Sequence, residues 1–471
     1  MKYMRRIFTA CQRRNWIPRR SALLKAFLTI AFFLVVIFIP ETGDYHEFPH
    51  YRIVLDPGHG GICLKPMEIH GDRYDSISEK YLDPFREGAS YRQLDEHVIV
   101  YSIALKAKRI LDLCSHDGDY KRFFGILRRY ATRRLNRIVI DTHMSRPDSR
   151  NSDAVERLRD PNEKFRLFDF PGPDGEMKPG RISSINALKP QLVVSLHIAT
   201  SGPPEYRGLN PVIVPPFIIL HRGLQYLQGD IKNQKFFYNS KYYDWFSEST
   251  KRSDFDWFLK DVSVYFTGYP LKEDRTLDLE DFRGYRYNMI TWAYRDPLFW
   301  ECIARFHPEG TPYAKSHRGF RIHGRFWERE GSLYERYRRD GGYSGYGGDN
   351  LYASSEIIRY ILLSLYRKNT RLHPAQKPTR PYISIWSVPL HVNAISAFIE
   401  LGYLRISSHR KMLVRNQDDI AEGIAVGIYS LLAGLQLRDA DFSYMPEGKR
   451  IDLNKYSMPN KESYFEAVTG D

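Results

Sequence analysis

The sequence predicts an α/β fold: a sheet covered by helices on both faces, preceded by one N-terminal transmembrane helix. Three observations predict it. Short, almost continuously apolar runs alternate with stretches of helical periodicity, the pattern of strands buried on both faces. The 471 residues are 42% hydrophobic, with 27 Phe and 33 Tyr, so the chain can bury a sizeable core and is neither globally disordered nor a small disulfide scaffold. Residues 26–39 form an uncharged apolar run behind a basic tail.

That tail sets the expected topology. Residues 1–25 hold eight Lys and Arg and no acidic residue. Ala26 to Ile39 follows and is stopped by Pro40, Glu41 and Asp44. With Ser21 to Leu24 the apolar run reaches about 20 residues, the length that spans a bilayer, if Lys25 snorkels. The order basic, apolar, acidic predicts a cytoplasmic tail and an exported remainder. No small-x-small cleavage pattern follows, so the segment reads as an uncleaved anchor. The expected location is the inner (cytoplasmic) membrane, single-pass, with the remainder on the periplasmic side. The net charge is +14, and only +6 remains beyond the tail, which gives no case for a nucleic-acid partner. Cys11, Cys63, Cys114 and Cys302 are too few for a disulfide framework.

Beyond the anchor, Tyr51-Arg-Ile-Val-Leu55 reads as a buried strand, broken by the Gly-rich loop Asp56-Pro-Gly-His-Gly-Gly61. Ile99, Ile103, Ala107 and Ile110 recur at helical spacing, which predicts a helix over Glu96–Leu113. Asn136 to Asp141 reads as a strand before Ser145-Arg-Pro-Asp148, Arg181 to Leu188 as a helix, and Leu192-Val-Val-Ser-Leu196 as a strand ending at His197. From about Pro215 to Gly348 the rhythm is lost in a stretch dense in Tyr, Phe, Trp and Arg, which reads as an insertion. Helix returns at Ser355–Leu365, strands at Tyr382–Trp386 and Ala397–Leu401, and helix at Asp418–Leu435. The polar residues after 436 read as a poorly ordered tail. The resulting organisation is 1–44 tail and anchor, 45–214 first part of the α/β domain, 215–348 insertion, 349–436 second part of the α/β domain, and 437–471 polar tail.

His59 and His197 both stand at strand ends, where ligands gather in a doubly wound sheet. Glu96, at the head of a helix, offers a third ligand, and two His with one carboxylate and an open position is a hydrolytic zinc arrangement. Glu400, at the end of a later strand, would then serve as general base or acid. Taken singly, a strand-end His is commonly a structural residue and a Glu at a helix start a dipole partner, so spacing alone does not decide. Glu68, Glu79 and Glu87 compete with Glu96, and Cys63 stands four residues after His59.

Val54-Leu-Asp-Pro-Gly-His-Gly-Gly61 resembles the opening motif of the zinc-dependent N-acetylmuramoyl-L-alanine amidases, and five further segments follow in that family's order. Glu96 with Ile103-Ala-Leu-Lys-Ala-Lys-Arg-Ile-Leu111 resembles the metal-binding Glu and its helix. Ser145-Arg-Pro-Asp148 loosely resembles a Thr-Arg-x-x-Asp turn, and Arg181 to Asn186 the helix before the second His. Val194-Ser-Leu-His-Ile-Ala199 is similar to the strand carrying that His. Phe398-Ile-Glu-Leu-Gly-Tyr-Leu404 and Asp419 to Ile428 resemble the terminal catalytic Glu and closing helix. After His197 the family usually has Ala-Asn, where this chain has Ile198-Ala199-Thr200.

The resemblance implies a mainly parallel sheet of about six strands flanked by helices. It implies one Zn2+ per chain held by His59, Glu96 and His197, with Glu400 as the catalytic carboxylate. It also implies hydrolysis of the amide between N-acetylmuramic acid and L-alanine, in cell-wall remodelling or daughter-cell separation, with peptidoglycan as partner. A protein activator has no signature in the sequence. Two other readings stand beside this one: a catalytically inactive peptidoglycan-binding or regulatory protein on the same fold, and a zinc carboxypeptidase. The latter class needs a His-x-x-Glu pair, and the run here is His59-Gly-Gly-Ile62.

Overall fold

In the computed structural model of the protein the described residues are 48–75, 79–115, 118–148, 160–202, 207–213, 346–368, 376–379, 381–383, 388–390, 392 and 394–456, with isolated positions between 272 and 281. The chain divides into two units, 1–48 and 49–471, and only Phe48 of the first is among the described residues. The expected anchor, nearly all of the expected insertion and residues 457–471 lie outside them. Among the described residues no helix is long and apolar enough to cross a membrane.

Strand β1 (His50–Pro57) and helix α1 (Glu96–Leu111) open the fold. Helix α2 (Tyr120–Leu127), strand β2 (Val139–Met144), helix α3 (Arg181–Ala187) and strand β3 (Leu192–Ala199) follow. After strand β4 (Asn210–Ile213) come helix α4 (Tyr346–Arg367), strands β5 (Tyr382–Ile383) and β6 (Ile395–Tyr403), and helices α5 (Ser407–Arg415) and α6 (Gln417–Ala433). The six strands form one sheet in the order β5-β4-β6-β3-β1-β2. All pairs are parallel except β4 with β6. Val193, Val194, Ser195 and Leu196 are buried in succession in β3, as are Ser396, Ala397, Phe398 and Ile399 in β6. Consecutive residues point to opposite faces, so neither face of these central strands meets solvent.

Chain order places β2 on one side of β1 and β3 on the other. β1 is therefore a point where the winding changes direction, and in such sheets ligands gather beyond the carboxyl end of that strand. Helix α1 buries Ile99, Val100, Ile103, Ala104, Ala107 and Leu111, one apolar stripe at helical period. Helix α6 is buried from Ile420 to Leu432, almost wholly apolar apart from Glu422 and Ser430, because α1 and α4 flank it. Gly423 and Gly427 let α4 approach: a methyl on Gly423 would stand 2.7 Å from the Ile361 nitrogen.

Several boundaries differ from the sequence expectation. Strand β2 lies three residues later than the apolar run that announced it, because pairing with β1 fixes its register at His50↔Val139. His197 sits inside β3, which continues through Ile198 and Ala199. Helix α4 begins at Tyr346, within the stretch expected to be insertion. Residues 436–456, expected to belong to a poorly ordered tail, pack on the helical layer. Ile451 is buried and donates its N–H to the Leu431 carbonyl at 2.8 Å. The fully buried Glu356 accepts the Glu447 and Gly448 N–H groups at 3.0 and 2.6 Å.

Candidate metal centre

The first site loop grows out of β1. The glycines after Pro57 serve two different needs. Gly58 passes so close to the His197 ring that an added methyl would lie 2.5 Å from Nδ1. Gly60 and Gly61 take φ of 110° and 88°, left-handed backbone that glycine adopts without penalty. His59, between Gly58 and Gly60, has φ 55°, a conformation that costs an ordinary residue about 1–2 kcal/mol. Its Nδ1 lies 3.2 Å from the Arg86 carbonyl oxygen, which can only accept. Nδ1 therefore carries the proton and Nε2 keeps its lone pair, the tautomer a metal ligand needs.

Glu96 comes from the first turn of α1 and is 2% exposed. Both carboxylate oxygens are fixed: Oε2 accepts the Ala89 N–H at 2.7 Å and Oε1 the Ile198 N–H at 2.9 Å. Oε1 also stands 3.1 Å from His197 Nδ1 and 3.9 Å from His59 Nε2. His197 stacks on Phe398, with centroids 4.2 Å apart and planes at 12°, and its buried Nε2 has no partner. The two imidazoles meet edge to face at 4.9 Å. One ligand atom from each of His59, Glu96 and His197 lies within 4.8 Å of the other two, a group that can hold a metal ion. Glu400 pairs with His197 across β6 and β3, and its buried Oε2 also lacks a partner.

The rival acids lie elsewhere. Glu68 is in a single helical turn, Met67–His70, and Glu79 in the turn of a hairpin, while the Glu87 carboxylate accepts the Cys63 N–H at 2.6 Å. Cys63 and Cys114 are free thiols, the first exposed and the second buried.

Charge in the pocket is divided unevenly. Burial pushes His59 down to about 4, against the pull of Glu96. Burial also disfavours the His197 cation, but Glu96, Glu400 and Asp56 outweigh it and hold that imidazole above its ordinary value. Burial would raise Glu96, yet His59, His197 and the Ala89 N–H keep it below the usual carboxylate range. Burial pushes Glu400 up to about 8; His197 lowers it and Glu96 raises it further. Two carboxylates beside one pair of imidazoles are thus driven in opposite directions, the separation that acid–base chemistry requires.

The chain has known structural likenesses. Its structural neighbours are N-acetylmuramyl-L-alanine amidases. The enzyme of Mycobacterium smegmatis is 12% identical, with 80% of this chain and 94% of that chain covered and a TM-score of 0.32. The CwlD amidase of Clostridioides difficile, in complex with the GerS lipoprotein, is 12% identical over 80% and 96%, with a TM-score of 0.30. The Mycobacterium abscessus amidase is 12% identical over 80% and 96%, with a TM-score of 0.29. No family model and no curated protein matches the chain.

Sequence reasoning marked the Ser145-Arg-Pro-Asp148 and Arg181–Asn186 segments by resemblance but gave the supports beneath the loop no role. Asp56 is fully buried and accepts hydroxyls from Ser145 and Ser195 at 2.5 and 2.9 Å, with Arg181 at 3.4 Å. Arg146 and Arg181 both donate to the Pro57 carbonyl at 3.2 Å. The Ser145-Arg146 and Arg181 segments thus brace the strand that ends in His59. Burial would raise Asp56, but Arg181, Ser145, His197 and Ser195 bring it below its ordinary value. The unfolded chain then holds its proton more tightly than the native state. The stabilisation is complete above about pH 5 and drains away as pH falls below about 4 through the lower native value. In urea titrations Asp56→Asn should be less stable than wild type by about 1–3 kcal/mol at pH 7. The gap should narrow in acid; a gap constant from pH 7 to pH 3 would contradict the assignment.

Proposed function

We propose that the protein is a zinc-dependent N-acetylmuramoyl-L-alanine amidase that cuts peptidoglycan. The observation that carries this reading is the convergence of His59, Glu96 and His197 beside Glu400, a carboxylate with a buried oxygen that has no partner among the described residues. The donor set fits zinc: two imidazoles and one carboxylate, with the His59 tautomer fixed through Arg86 and the Glu96 carboxylate held by two backbone N–H groups. Bound there, zinc supplies a Lewis acid that polarises the amide carbonyl and makes water nucleophilic near neutral pH. Phe398 keeps the His197 ring plane fixed by stacking.

Glu400 is the proton carrier in this mechanism. As carboxylate it takes a proton from water while the water oxygen bonds to the lactyl carbonyl carbon, then delivers that proton to the alanine nitrogen as the C–N bond breaks. The products are a free muramic acid carboxyl group and a stem peptide with a free amine. An inactive binding protein would have no use for a carboxylate buried without a partner, which costs free energy to keep.

The basic, apolar, acidic order of residues 1–44 supports a single-pass inner-membrane location with this site on the periplasmic side, and a role in cell-wall remodelling or daughter-cell separation follows from that placement. Purified full-length protein should carry about one zinc per chain by elemental analysis. Mass spectrometry of treated murein should show released stem peptides beginning with L-alanine. Zinc-loaded protein that leaves the muramoyl amide intact would refute the proposal.

A further inference from the structure

We propose that Tyr91, Arg92, Arg405 and Arg410 form a carboxylate-binding subsite at the rim of the metal pocket, which holds the peptide arm of the substrate. The identity of the substrate rests on the amidase reading above.

Three guanidinium groups converge on one phenol ring. The Arg410, Arg92 and Arg405 Cζ atoms lie 5.0, 5.3 and 6.0 Å from the Tyr91 ring centroid. Arg92 and Arg405 are exposed, and Arg410 is half-buried with one N–H given to the Leu404 carbonyl at 2.6 Å. Among the described residues no carboxylate pairs with any of the three. Asp95, the acid nearest in sequence to Arg92, accepts the Ser90 hydroxyl at 2.7 Å. The aromatic face offsets part of the repulsion between like charges, and an anion would remove it.

The cluster is assembled from the two segments that deliver the site. Tyr91 and Arg92 lie in the hairpin of Ser90–Tyr91 with Leu94–Asp95, which runs directly into Glu96. Ala89, two residues before Tyr91, exchanges hydrogen bonds with Glu96 through both its N–H and its carbonyl. Arg405 follows Glu400 by five residues, and its N–H donates to the Thr200 carbonyl at 3.0 Å, three residues beyond His197. Both segments therefore emerge at the end of the sheet where His197 and Glu400 stand. The hairpin tip is also costly: Arg92 and Gln93 take φ of 51° and 61°, in a turn that Asn-Gly fits best. A charged residue is kept there at the expense of backbone strain.

Guanidinium groups pair with carboxylates through two parallel N–H···O bonds, which makes several arginines gathered around one ring a carboxylate receptor. The muramoyl side of the scissile amide is built of neutral N-acetyl sugars. The stem peptide beyond L-alanine carries free carboxylates, so the charge assigns this rim to the peptide arm.

Calorimetric titration of the full-length protein with L-alanyl-D-glutamate and with its diamide tests the subsite without catalysis. Wild type should bind the acid about tenfold more tightly than the diamide. The double variant Arg92→Ala, Arg405→Ala should bring the two within about twofold, and Arg92→Lys, Arg405→Lys should restore part of the preference. In kinetics, the KM advantage of muramoyl peptides with free carboxylates over amidated ones should vanish in the alanine variant. Equal binding of acid and diamide by wild type overturns the proposal, as does a preference that survives the alanine variant. Displacement of the dipeptide by inorganic phosphate at equal concentration also overturns it, by marking a general anion patch. Should wild type cleave neither muramoyl substrate, the amidase reading falls while the titration still decides the subsite.

Discussion

Glu400→Gln should leave zinc binding intact and lower kcat on murein by about 10²–10⁴-fold, the range for loss of a positioned proton carrier. Three facts separate Glu400 from the ligand group. It stands on β6 rather than on the segments that converge as His59, Glu96 and His197, its Oε2 is buried without a partner, and burial pushes it up to about 8. The amide of Gln matches the carboxyl in shape, so packing against His197 and the β3 pairing survive. What disappears is the ability to take and return a proton. Elemental analysis and single-turnover kinetics on the same preparation check both halves. Full activity would remove Glu400 from the mechanism, and loss of zinc would make it a ligand.

The parts of this protein legible in its sequence are those whose signal is local. β1, β3 and β6 announce themselves because strands covered on both faces are almost uninterrupted runs of apolar residues, and α1 because its stripe repeats at helical period. His59 and Glu96 stand where an apolar element ends or begins, whereas His197 lies inside β3, whose run continues to Ala199. The antiparallel strand β4 was not legible, since Asn210-Pro-Val-Ile213 is short and acquires its pairing from β6, far along the chain. Residues 436–456 look like a tail because their binding groups are supplied from elsewhere: Glu356 caps the Glu447–Gly448 turn from about 90 positions away. Phe398 reads as one more apolar strand residue. Its role as the stacking partner of His197 exists only once β6 and β3 are set in register. Asp56 is similar, an acid in a Gly-rich loop whose partners Ser145, Ser195 and Arg181 come from three other segments.

Gly58→Ala should weaken metal binding although it touches no ligand's chemistry. A methyl at this position would stand 2.5 Å from His197 Nδ1 and 2.6 Å from Nε2, far inside van der Waals contact. The His197 ring is held in place, because Phe398 stacks on it at 4.2 Å between centroids with the planes at 12°. Nor can the backbone of Gly58 move freely, since its N–H is tied to the Leu196 carbonyl at 2.9 Å and the Pro57 carbonyl before it holds Arg146 and Arg181. Overpacking of this kind typically costs about 1–3 kcal/mol in stability. The larger effect falls on the site, because tilting one imidazole breaks the shared geometry with Glu96 Oε1, and zinc affinity should drop by about 10–100-fold or more. Competition with a chelator of known affinity measures the loss, and a melting curve on the metal-free protein reports the packing cost separately. Unchanged zinc affinity in Gly58→Ala would mean that His197 does not hold the ion in the orientation seen here, and the three-residue centre would have to be redrawn.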